Sequence, residues 1–156
     1  MTEAPIFTVA RIAAQADGSF AYSRSGSLAL TLAVEDRHGN MVDVVAWRDP
    51  SHWWLRRDDL TPILGAESLA MASWHHEHIL LWETPEAWVQ SHRPGGEADR
   101  HHCVCILRWD VDLRPLFGGV PRIDCAVPEL RGQLRKALRR FEPQITAPPP
   151  EVRRAA

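Results

Sequence analysis

"HILLWETPEAW", residues 78–88, is the stretch on which the fold turns. The short apolar run of "EHILLWE" (77–83) reads as a strand. Thr84, Pro85 and Glu86 then read as N-cap, N1 and N2 of a helix reaching roughly to Gln90. The hydroxyl can accept an early backbone N–H, proline has no N–H to lose, and the acid suits the helix dipole. A strand delivered straight onto a helix marks an α/β unit, and it leaves one carboxylate, Glu83, at the junction.

Upstream, "SLALTLAVEDRHGNMVDVVAWR" (27–48) is the clearest element. Leu28, Leu30, Leu32 and Val34 alternate with smaller or polar residues, "DRHGN" supplies turn chemistry, and a second β-branched run follows. This is a β-hairpin whose second strand, apolar on both faces, belongs in the middle of a sheet. "TVARIAAQADGSFAYSRSGS" adds an edge strand with Asp17-Gly18 as its turn. From Asp49 to Leu64 the chain reads as irregular, with Pro50 and Pro62 limiting any helix. "GAESLAMASW" reads as a short helix, a strand being the alternative.

Downstream, "SHRPGGEADR" is a surface loop, "HCVCILRW" a buried strand and "VPRIDC" a further short one. Val127, Leu130, Leu134, Leu138 and Phe141 recur at spacings of three and four, one face of a last helix opened by Pro128 and Glu129. The expected fold is α/β, with a mixed α+β arrangement open. An N-terminal antiparallel hairpin precedes a β-α-β-β-α unit, its helices packed on one mixed sheet. Residues 1–141 would form one domain, since 156 residues with 45% hydrophobic content can bury one sizeable core but not two. Residues 142–156, with three consecutive prolines and no apolar periodicity, read as a disordered tail.

The formal charge of −2 gives no global basic field, so attraction to nucleic acid must come from a local patch. Cys103, Cys105 and Cys125 are odd in number and too close in part for a disulfide framework, which favours reduced, mostly buried thiols. The N-terminus has no secretory pattern and no apolar run approaches a membrane span, so a cytoplasmic location is expected.

Four groups of residues are candidate sites. Glu83 follows one strand, and "CILRWDVD" places Asp110 and Asp112 after a later one. This pattern resembles a degenerate Toprim domain over residues 78–125. The resemblance implies Mg²⁺ held by Glu83, Asp110 and Asp112 and used on phosphates, because hard cations gather carboxylate oxygens. Thr84 stands where that family has glycine, and the interval from Glu83 to Asp110 has room for a single helix. The competing reading makes Glu83 and Glu86 ordinary helix-start acids and lets the two aspartates cap the segment after their strand.

"WHHEH" and "HHCVC" bring His76, His78, His102 and Cys103 forward as zinc-type ligands if the two strands pair. Neither CxxC nor HExxH spacing is present, which favours surface histidines and structural cysteines. The last helix carries Arg131, Arg135 and Arg139 at i, i+4 and i+8, with Lys136 and Arg140 beside them and Glu129 as the only compensating acid. That face suits phosphates or an acidic protein, against the competing account of a solvated helix end. Trp53 and Trp54, flanked by Arg56 and Arg57, have the composition of an interface or base-stacking platform, a loop anchor being the plainer alternative.

Phosphate-loop, dinucleotide, nucleophile-elbow and zinc-deaminase signatures are missing. Most of residues 40–140 looks like small uncharacterised proteins of bacterial prophages and mobile elements, which implies an accessory protein of a replicon. The expectation is therefore a non-catalytic accessory binding protein without a cofactor. It would contact nucleic acid, or a replication or phage protein, through Arg131, Arg135, Lys136 and Arg139, with Trp53, Trp54, Arg56 and Arg57 as a second region. The alternatives are a Mg²⁺-dependent phosphotransfer enzyme or nuclease and a structural, oligomeric interaction module.

Overall fold

The computed structural model describes residues 4–57 and 61–140, so the proline-rich tail lies outside the described residues. Two hairpins and an added strand build the first sheet. β1 (Phe7–Ala14) turns at Asp17-Gly18 into the short β2 (Phe20–Tyr22). There the Asp17 carboxylate accepts the Ser19 N–H at 3.0 Å, and Gly18 takes φ +86°, where a side chain would be strained. β3 (Ser27–Glu35) and β4 (Met41–Trp47) form the hairpin expected from the alternating leucines. Asp36 ties its turn by accepting the N–H groups of His38 (2.8 Å) and Asn40 (3.0 Å). β5 (Trp53–Leu55) completes an antiparallel sheet of order β2-β1-β3-β4-β5, so the doubly apolar β4 is interior.

The second sheet is mixed. Its strands are β6 (Ile63–Leu64), β7 (Ile79–Trp82), β8 (His102–Ile106) and β9 (Ile123–Cys125), in the order β6-β8-β7-β9. β7 is parallel to both neighbours and β6 antiparallel to β8. The helices are α1 (Ala66–His75), α2 (Pro85–Ser91), the four-residue α3 (Arg114–Phe117) and α4 (Pro128–Arg140). The fold is thus mixed α+β, with an N-terminal antiparallel sheet and helices on a mixed one.

Residues 49–64 depart from the irregular reading, because they contain β5 and β6. The prolines that argue against a helix flank these strands: Pro50 precedes β5 and Pro62 sits directly before β6. α3, too short to show any periodicity, had no signal in the sequence.

Alternation along β8 divides the interior. Val104 and Ile106 face α1, α3 and α4, in a cluster with Leu81, Leu113, Phe117, Leu130 and Leu134. Cys103 and Cys105 face the other way, toward α2 and the inner side of the first sheet, among Leu32, Val45, Trp47 and Trp88. Each fully buried aliphatic or aromatic side chain stabilises this packing by roughly 1.5–3 kcal/mol. Trp88 also donates its indole N–H to the Cys103 carbonyl at 3.0 Å, tying α2 to β8. Gly65 enters α1 at φ +86°, and a Cβ there would lie 2.3 Å from that same carbonyl oxygen. Only glycine fits at that crossing.

Candidate nucleic-acid interface

α4 is amphipathic in the sense its sequence requires. Leu130, Leu134 and Ala137 are buried against the second sheet, and Arg131, Arg135, Lys136 and Arg139 are exposed on the opposite side. At 1.5 Å of rise per residue the arginines extend over about 12 Å. Among the described residues no acid forms an ion pair with any of the four. The first turn lies beside β9: the Arg131 guanidinium partly offsets the burial that pushes the Cys125 thiol upward.

The region around Trp53 and Trp54 is built differently from a free stacking platform. β5 sends consecutive side chains to opposite faces. Trp53 packs into the core between the sheets and donates its indole N–H to the Leu107 carbonyl at 3.0 Å. Trp54 packs on the outer face beside Ala46 and Phe20, with the Arg48 guanidinium 5.2 Å from its ring centroid and the His52 ring edge-on at 4.8 Å. Both indoles are half-buried. Arg56 lies 5.0 Å over the Tyr22 ring, the Arg57 backbone N–H is held by Asp43, and both arginines are exposed. The exposed indole is instead Trp74 on α1, at 81%. Its only sequence signal is helical phase, since Leu69 and Ala72 point inward and leave Trp74 outward.

Glu83 leaves β7 at the carboxyl edge of the parallel strands, where open α/β sheets ordinarily bind ligands. Its Oε2 is buried without a hydrogen-bond partner among the described residues. It lies near Cys105, whose thiol is pushed up first by burial and then by this negative charge. The next residue behaves as a cap: Thr84 Oγ1 accepts the Ala87 N–H at 3.1 Å. Asp110 and Asp112 are exposed and engaged locally. Arg108 reaches Asp110 at 2.9 Å, and Arg114 reaches Asp112 at 3.1 Å, holding that carboxyl below the usual carboxylate range. Among the described residues no three His, Cys, Asp or Glu side chains are arranged to hold a metal ion. Glu83, Asp110 and Asp112 therefore do not come together as a magnesium ligand set.

The histidines and thiols also stay apart. His102 and Cys103 are successive residues of β8 and point to opposite faces. His102 Nε2 meets Glu77 Oε2 at 2.5 Å, a contact that keeps the Glu77 carboxyl low, while Cys103 is buried and its thiol raised by burial. His76 and His78 are exposed, and His76 ends α1 in the left-handed conformation.

The architecture, a mixed α+β fold of two sheets, is the class that this geometry defines. No protein family matches the chain, and no curated protein does. Among solved structures it is similar to the DnaG catalytic core, at 14% identity and a TM-score of 0.49 over 74% of this chain and 40% of that one. It is also similar to the DnaG primase catalytic domain bound to ssDNA, at 13% identity and a TM-score of 0.47 over 74% and 39%. The chain spans about two-fifths of the length of both.

Proposed function

We propose that the protein is a non-catalytic accessory binding protein that engages nucleic-acid phosphates through the outer face of α4. The observation that carries this reading is the exposed row Arg131, Arg135, Lys136 and Arg139 on a helix whose other face is buried. Guanidinium groups suit phosphate oxygens, and a row of them releases counterions when it meets a charged backbone. Because the whole chain is slightly acidic, at −2, attraction to phosphates must come from a local basic face such as this one. Membership of a phage or mobile element rests on the likeness noted in the sequence and on no feature of the fold.

One observation favours a second reading, a Mg²⁺-dependent phosphotransfer enzyme: the unpartnered Oε2 of Glu83 at the carboxyl edge of β7. Against it stand the guanidinium partners of Asp110 and Asp112. Fluorescence anisotropy of labelled DNA, at low and moderate salt and with and without Mg²⁺, tests both. Salt-sensitive binding that weakens in R131A/R135A/R139A supports the first; Mg²⁺-dependent loss of substrate supports the second. Absence of binding at low salt ends both and leaves a protein-interaction module.

A further inference from the structure

Trp74 is a large apolar side chain with no role in holding the fold together. Four-fifths of its surface meets water, although it sits on a helix whose inner face is well packed. A lone exposed apolar side chain is ordinary, whereas an indole bordering a groove with an apolar floor has the make-up of a binding surface. Trp74 stands at the rim of a groove of 830 Å³ between α1, the β3–β4 turn and α3. The apolar part of its lining includes Pro62, Leu69 and Leu116, and Arg37, His38 and His76 supply the cationic and imidazole groups. Among the described residues the one acid of its lining, Asp36, already accepts the turn's N–H groups, which hold its carboxyl below the usual range.

An outward indole, an apolar floor and basic groups at the margin fit an unpaired nucleobase with its phosphates beside it. Duplex DNA keeps its bases stacked inside and offers none to an indole on a helix surface. Leu69 and Ala72 of α1, Phe117 of α3, and Leu130 and Leu134 of α4 enter one core cluster. Trp74 and the α4 cations therefore lie on the outward side of a single helical layer. We infer that this layer binds single-stranded nucleic acid, with a base stacked on Trp74 and the backbone drawn to Arg37 and to the α4 row. The inference rests on the phosphate-binding reading above and adds to it the strandedness of the ligand.

The test is anisotropy with a labelled oligo-dT and with a duplex of the same length, on the wild-type chain, W74A, W74F and R131A/R135A/R139A. Trp74 is so exposed that its replacement leaves the core intact. W74A should lose about tenfold in affinity for oligo-dT, the worth of one stacked base, and stay within about twofold on duplex. W74F should retain most of the oligo-dT affinity. Unchanged oligo-dT binding by W74A, with loss in the arginine variant, overturns the stacking inference and leaves the phosphate reading standing. No binding by the wild-type chain to either DNA overturns both. Wild-type self-association in sedimentation that W74A abolishes also overturns the inference, because the indole would then be a protein contact.

Discussion

Glu83→Gln should make the protein more stable at neutral pH. The Oε2 atom is buried with no hydrogen-bond partner among the described residues, and its charge disfavours ionisation of the buried Cys105 thiol. An unsatisfied buried polar atom costs about 1–3 kcal/mol, more for a charged group. Glu83 as a whole is half-buried, so water reaches the rest of the carboxylate and the lower end applies. An amide of the same shape removes the charge and costs less to bury. The expected gain is about 1 kcal/mol, or about 3 °C in Tm for a chain of this size. Urea unfolding followed by circular dichroism measures it. A loss of stability of about 1 kcal/mol or more would refute the reasoning, since Glu83 would then hold a stabilising partner. Mg²⁺ raising the wild-type Tm but not that of E83Q would identify the partner as a metal.

Four more outcomes follow from local geometry. Thr84→Ala removes the oxygen that accepts the Ala87 N–H and should cost about 1 kcal/mol, read from the urea midpoint. Gly65→Ala combines a strained φ of +86° with a Cβ 2.3 Å from the Cys103 carbonyl oxygen; it should cost about 2–3 kcal/mol, read from the same midpoint. In the native state a thiol reagent should modify Cys125 slowly and spare the buried Cys103 and Cys105, and all three should react in urea. R131A should slow Cys125 further, because that guanidinium favours its thiolate.

What was legible in the chain was whatever has a period or a punctuation mark. The leucine alternation in 28–34 marked β3, Thr84-Pro85 marked the start of α2, and the Leu130, Leu134, Leu138 spacing marked α4. The three- and two-residue strands β5 and β6 carry no sequence signal because they are too short for a pattern and form through pairing with β4 and β8. Site geometry was less readable than fold. The four cations of α4 could be placed on the outer face from helical phase alone. Whether Asp110 would approach Glu83 or turn to Arg108 depends on a loop without periodicity, and the guanidinium two residues away is its partner. Likewise the Trp53-Trp54 pair suggested exposure, but strand alternation sends the indoles to opposite, partly covered faces, leaving Trp74 as the indole in water.

The salt dependence of duplex DNA binding tests the α4 face most directly. If Arg131, Arg135, Lys136 and Arg139 each neutralise one phosphate, the slope of log K against log salt should be about −3.6, so that affinity falls about 150-fold between 50 and 200 mM salt. With R131A/R135A/R139A, Lys136 alone of these four remains and the slope should drop to about −0.9, a fall of about 3.5-fold. A wild-type slope near zero, or a slope that the triple substitution leaves unchanged, would contradict the assignment of α4 as the binding face.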